Sequence, residues 1–382
     1  MRIVAPIVRG VRLASWAASH RKPRMAYVGG WLGHNNLGDE ALREAYRVLF
    51  PGISLCCLEG HREEVSFARI TKAFDSAVLA GGTLINKNDK CLARARAMLE
   101  MAERRFVFGT GVASSAFWGG RQLRGGTAWS NRLPEWRDVL ERCDYVGVRG
   151  PLSQNALTEA GLRKVEVVGD PVLVFADCSR SAHHHERTLG LNLGVAGGNM
   201  WASEERLFER VTELAALARN NGWKVVWFVV WPDDYEPTRR VAKESRTDEH
   251  ICAIYTDHAK YRDEVSNMSV FVGMKLHAVV LATCVGVPSI MLEYRPKCRD
   301  YMESIRQGHL CRRLDLFVAQ EVWERVLDIE RERQRYADDM AAGISQLQAF
   351  QRDKAREMAD RMASPLPKGS EVFAPPHTPG AR

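Results

Sequence analysis

From Met25 onward the sequence alternates short apolar runs with amphipathic stretches, stops, and then does the same again. Residues 25–28, 76–79, 106–109, 145–148 and 165–168 are short and apolar, bounded by Gly, Asp or charged turns, and read as strands. Between them 40–50, 91–104 and 153–160 carry helical composition and periodicity. Such alternation places parallel strands in a sheet covered on both faces, which fixes the class as α/β. The polar segment 178–188 breaks the pattern. Beyond it 189–195, 224–230, 250–255, 270–272 and 289–292 read as strands, with a well-formed helix over 204–220.

Two similar α/β domains follow: 25–178 and 189–319, joined by a linker at 179–188. A chain of 382 residues is long enough for both. Residues 320–363, rich in Glu, Arg, Ala and Gln, predict one or two long surface helices, and the proline-rich 364–382 reads as a disordered tail. The linker triplet His183, His184 and His185 lacks an accompanying carboxylate or Cys set, so it reads as polar loop and no metal site is expected.

Charge needs to be located before it is interpreted. The net +7 invites a nucleic-acid partner, but Arg2, Arg9, Arg12, Arg21, Lys22 and Arg24 supply six of those charges, with no acidic residue among residues 1–24. The rest of the chain is nearly neutral, so no nucleic-acid partner is expected. In that basic arm Val4, Ile7, Val8, Val11, Ala14 and Ala18 recur at helical spacing. Two readings stay open: a helix resting on an anionic membrane surface, or an extension lying on its own domain. The longest charge-free run, 276–292, is too short and too interrupted by His277, Gly286 and Pro288 to span a bilayer. Nine cysteines without metal-ligand spacing fit reduced thiols in a cytoplasmic protein.

Four segments gather the chemistry at strand ends. Gly29, Gly30 and Gly33 lead through Asn36, Leu37, Gly38 and Asp39 to Glu40, a glycine-rich turn entering a helix that Asp39 can cap. Gly81 and Gly82 close the 76–79 strand. Arg149 ends the 145–148 strand, where a guanidinium can grip a phosphate or carboxylate in bidentate fashion. Lys275, Leu276 and His277 open an apolar helix, followed by Gly286, Pro288 and then Glu293, Tyr294 and Lys297. A histidine between cations is placed to move protons near neutral pH.

In order, Asn36 to Glu40, Gly81-Gly82-Thr83-Leu84, Arg149 with Ser153 and Leu157, Gly169-Asp170-Pro171, Lys275-Leu276-His277, and Gly286-Val287-Pro288 with Tyr294 and Lys297 resemble the polysaccharide pyruvyl transferase family. The resemblance runs over about 25–305. It implies two facing Rossmann-like domains, similar to B-type glycosyltransferases, with the site between them. The implied reaction moves the carboxyvinyl group of phosphoenolpyruvate onto two hydroxyls of a glycan or lipid-linked oligosaccharide, as a cyclic ketal, with release of phosphate. Phosphoenolpyruvate is then a co-substrate and no cofactor is implied. By the same resemblance His277 is catalytic, Arg149 and Lys275 hold the donor, and Leu276 contributes its backbone. Lys275 stands where many members carry Arg, keeping the charge without the fork. Asn36, Gly38, Asp39, Gly81, Gly82, Tyr294 and Lys297 complete the expected binding set. The rival reading is a B-type glycosyltransferase using a nucleotide sugar, with Glu293 available for a ribose.

Overall fold

A computed structural model describes residues 4–30, 32–58, 62–123, 128–178 and 186–364. The histidine triplet, most of the expected linker and the tail beyond Ser364 lie outside the described residues.

Two parallel sheets organise the chain. The first holds β1 (Arg24–Val28), β2 (Ser54–Leu58), β3 (Ser76–Ala80), β4 (Thr83–Ile85), β5 (Arg104–Val112), β6 (Tyr145–Val148) and β7 (Glu166–Val167), in the order β2-β1-β3-β5-β6-β7, with β4 paired to β5. The second holds β8 (Thr188–Asn192), β9 (Lys224–Val229), β10 (Ile251–Ala253), β11 (Val270–Gly273), β12 (Ser289–Glu293) and β13 (Cys311–Arg313), in the order β10-β9-β8-β11-β12-β13. That second order is the doubly wound Rossmann arrangement, and every pairing in both sheets is parallel. The central strands are buried along their length, as β3 and β12 show, because helices cover both faces.

Before and within the first sheet run α1 (Val4–Ser19), α2 (Leu37–Leu49), α3 (Arg62–Thr71), α4 (Asp89–Met101), the short α5 (Ser115–Trp118), α6 (Leu133–Leu140) and α7 (Pro151–Glu159). The second is accompanied by α8 (Glu204–Asn220), α9 (Tyr235–Glu244), α10 (His258–Val265), α11 (Leu276–Thr283) and α12 (Pro296–Ser304). The strands β2 and β13 escape a reading by periodicity because one is mixed in exposure and the other has only three residues. The expected 91–104 helix stops three residues early, since Arg104 already belongs to β5 and pairs with Ser76.

The chain ends in α13 (Ala319–Arg331) and α14 (Arg333–Ala363). Neither is only a surface helix. Trp323 of α13 meets Trp223 edge-on at 5.4 Å beside the second sheet. The longer α14 then returns to the first sheet, where Ala355, Met358 and Met362 join the core of Tyr27, Val78 and Phe108. On the way Gln351, fully buried, donates to the Asp170 carbonyl at 2.7 Å, and Gln348 donates to those of Leu173 and Ala176. The extension therefore ties the two sheets together.

At the other terminus α1 is helical and docks on its own protein: Leu13 is buried, and Trp16 lies 5.7 Å from Phe74. Val11, on a different face, is 62% exposed. Among the described residues no helix is long and apolar enough to cross a membrane.

Candidate functional site

Both sheets present their C-terminal strand ends to one cleft, and in each the strand order reverses there: between β1 and β3 in the first sheet and between β8 and β11 in the second. Loops leaving those strands diverge and open a crevice, the usual ligand position in open α/β sheets.

On the first side, β1 runs into the glycine turn and α2. The cap of that helix is Asn36 rather than Asp39: its Oδ1 accepts from the backbone N–H of Gly38 at 3.0 Å and of Asp39 at 3.4 Å. Asp39 instead occupies the first turn, where a carboxylate favours the positive helix end. Glu40 reaches back to the Gly33 N–H at 2.9 Å and tightens the loop. Gly38 has to be glycine, because a Cβ there would overlap the His277 imidazole from the opposite unit. Gly81 and Gly82, at φ of 54° and 64°, form the turn that starts β4.

Three ionisable groups meet at the centre. Arg149, wholly buried after β6, places Nε 3.3 Å from Asp170 Oδ2, and Nη1 donates to Thr83 Oγ1 at 3.4 Å. Its Nη2 is buried without a hydrogen-bond partner. His277, in the first turn of α11, brings Nε2 within 3.5 Å of the same Asp170 oxygen and keeps 15% of its side chain exposed. Asp170 also caps the turn that follows it, accepting from Val172 N–H at 3.1 Å. Burial alone would raise the Asp170 carboxyl, but His277 and Arg149 beside it outweigh burial and hold it below the ordinary range. In the sequence Asp170 is one member of the Gly169-Asp170-Pro171 turn, with nothing beyond the turn itself to mark it as a site residue. Its signal was the buried Gly-Asp-Pro turn, whose partners arrive only through tertiary contact.

The other expected cations separate. Lys275 is engaged within the second unit: Nζ lies 3.1 Å from the fully buried Asp234 and donates to the Val195 carbonyl at 2.8 Å. Burial pushes Asp234 up to about 6 in spite of Lys275. The Lys275 backbone N–H is fastened to Asn192 Oδ1 at 2.8 Å, which orients the start of α11 and buried Leu276. Lys297, by contrast, has no carboxylate within ion-pair distance among the described residues. It sits in the first turn of α12, half-buried over the Tyr294 ring at 5.0 Å. Burial, then the neighbouring Arg295, lower its ammonium to about 8. Tyr294, nearly buried, serves as a platform for both cations.

A further cation joins them. Lys87, just after β4, is lowered by burial and by Lys297 and Arg295, a crowding of like charge that an anionic ligand would relieve. Glu293 is internal: it pairs with Arg299 at 2.9 Å and accepts from Trp201 Nε1 at 3.3 Å. Alongside the charged centre a cavity of about 610 Å³ opens between the end of β5, α6, α7 and α12, with Ser114, Asn131, Arg137, Asn155 and Glu159 in its wall.

Comparison with known proteins is consistent with this geometry. The family model "Polysaccharide pyruvyl transferase" matches residues 36–296. No curated protein matches the chain. A UDP-glucosyltransferase from Polygonum tinctorium, capable of glucosylating indoxyl, superimposes with a TM-score of 0.55 at 12% identity, covering 91% of this chain and 100% of its own. A UDP-GlcNAc 2-epimerase from Neisseria meningitidis, bound to UDP-GlcNAc, gives 0.53 at 11% identity, covering 88% and 100%. At such identity the likeness is one of fold: two facing Rossmann-like units with a C-terminal helix.

Proposed function

The chain belongs to the polysaccharide pyruvyl transferase family, and from that premise we propose that it transfers the pyruvyl group of phosphoenolpyruvate to a glycan sugar as a cyclic ketal. The observation that carries the reading is the Asp170 carboxylate held between Arg149 and His277, together with Lys297, which feels the Arg149 charge and crowds Lys87, and no carboxylate paired to either lysine among the described residues. That balance favours a compact donor bearing about three negative charges. The Lys297 ammonium at the α12 N-terminus and the buried, unpartnered Arg149 Nη2 suit its phosphate and carboxylate.

In this reading His277 protonates the donor methylene, which becomes the methyl group and leaves the central carbon electrophilic. The first sugar hydroxyl adds there and returns its proton to His277. The second hydroxyl displaces phosphate as the bond between the central carbon and the bridging phosphate oxygen breaks, and the hydroxyl proton leaves with the phosphate. Arg149 and Lys297 stabilise the departing charge, while Asp170 holds the imidazole in place. Lys275, neutralised by Asp234, orients the α11 entry beside Leu276; direct contact with the donor would require it to leave Asp234. The polar cavity beside α7 suits the acceptor in size and in its hydroxyl, amide and charged lining. A nucleotide-sugar donor is less well supported, because both Glu293 oxygens already have partners where that reading wants a ribose ligand.

Phosphate release from phosphoenolpyruvate, assayed against free and lipid-linked oligosaccharides, tests the reading. The wild type should release phosphate with at least one acceptor, and His277→Ala should slow this by about 10²- to 10⁴-fold. Consumption of a nucleotide sugar, with no phosphate release from phosphoenolpyruvate in the presence of any acceptor, would transfer the assignment to the rival. We further propose a cytoplasmic enzyme that touches the inner membrane face through its basic arm. Its support is the scattered spacing of the nine cysteines in the sequence, the arm's charge, and the outward Val11.

A further inference from the structure

Helix α7 begins without a cap of its own. Gly150 stands at its N-cap and offers no side chain, yet this helix start is buried and its orphan N–H groups need acceptors. The acceptor comes from the other unit. Asp300 of α12 takes the Ser153 N–H on Oδ1 at 3.0 Å and the Ser153 hydroxyl on Oδ2 at 2.7 Å. Ser153 Oγ in turn accepts from the Val112 N–H of β5 at 2.9 Å, so the contact is anchored in the first sheet. Asp300 is 3% exposed and Ser153 2%. Gly150 is dictated by the same junction: a Cβ there would overlap the backbone carbonyl and carboxylate of Asp300.

The position of this junction is informative. Arg149 immediately precedes Gly150 on the first side, and Lys297 lies one helical turn before Asp300 on the second. The junction therefore joins the two backbones that carry the donor-site cations. A carboxylate at a helix N-terminus is favoured by the helix dipole; burial still pushes the Asp300 carboxyl above the ordinary range, and the Arg149 charge and the Ser153 hydrogen bonds oppose that rise only in part.

We propose that Asp300 caps α7 from across the cleft and thereby sets the spacing of Arg149 and Lys297, acting as a positioning residue for the phosphate of the donor. The proposal rests on the anionic-donor reading above, and inorganic phosphate separates the two. In the full chain, Asp300→Ala and Ser153→Ala should each weaken phosphate binding, measured by calorimetry, by about tenfold. They should raise the half-saturation concentration of phosphoenolpyruvate to a similar degree with kcat within about threefold, because the chemistry at His277 is untouched. Asp300→Asn keeps an oxygen for the Ser153 N–H and should recover most of the loss, whereas a merely structural side chain would show no such split. Solution X-ray scattering of the Ala variants should report a wider separation of the two units. Phosphate affinity and scattering at wild-type values in Asp300→Ala would overturn the proposal. If the wild type turns over no phosphoenolpyruvate, the functional reading fails, while phosphate affinity and scattering still decide the role of Asp300.

Discussion

At the residue scale, charge compensation separates the groups that serve the fold from those that await a ligand. Lys275 and Lys297 look alike in sequence, each near a strand end and each at the start of a helix. One is matched to a buried aspartate, and the other is crowded by cations with no carboxylate at ion-pair distance among the described residues. With its pKa lowered to about 8, Lys297 begins to lose charge just above neutral pH. A bound anion favours the ammonium, so donor binding above that pH must take up a proton. The half-saturation concentration for phosphoenolpyruvate should therefore rise by up to about tenfold per pH unit above pH 8. Lys297→Met should show weaker binding at pH 7 and no such alkaline rise. A flat wild-type profile between pH 7 and 10 would remove Lys297 from the donor site. The catalytic candidate was legible from its setting, His277 after a cation at a strand end. Asp170 was not, because a carboxylate in a Gly-Asp-Pro turn acquires its meaning from Arg149, more than twenty residues earlier, and from His277, more than a hundred later.

At the element scale, periodicity located most strands and helices but not their partners. The sequence of α14 reads as solvated because charged residues are scattered along it, yet the buried positions Ala355, Met358 and Met362 follow helical spacing and lie against the first sheet. Met358, 2% exposed in that contact, should cost about 2 to 5 kcal/mol when changed to Ala. The neighbouring Arg356→Ala, on an open face with its side chain 74% exposed, should change stability by no more than about 0.5 kcal/mol. Urea denaturation of the two variants compares them directly, and equal stabilities would show that α14 contributes no packing to the first sheet. The strands β2 and β13 were missed for a related reason: an edge strand is specified by its neighbour's hydrogen bonds more than by its own pattern.

At the scale of the whole molecule, the basicity and the site occupy different regions. The arm carries six of the seven net charges and docks through Leu13 and Trp16, with Val11 and, on α3, Ile70 exposed. Reversing Arg9 and Arg12 to Glu should reduce cosedimentation with vesicles containing phosphatidylglycerol at least about tenfold and leave phosphate release from phosphoenolpyruvate with soluble acceptors unchanged. Equal binding by variant and wild type would show that the arm serves only its own domain. By itself, the sequence determined the α/β class, the doubling of the pattern, and the family motifs at strand ends, because periodicity and turn chemistry are local properties. Tertiary structure decided which charges are paired, which glycine accommodates which neighbour, and that α14 returns to the first sheet. Those outcomes depend on contacts between residues far apart in the chain, and burial makes each such pairing count: an unmatched charge that water would screen becomes, inside the cleft, a place for a ligand.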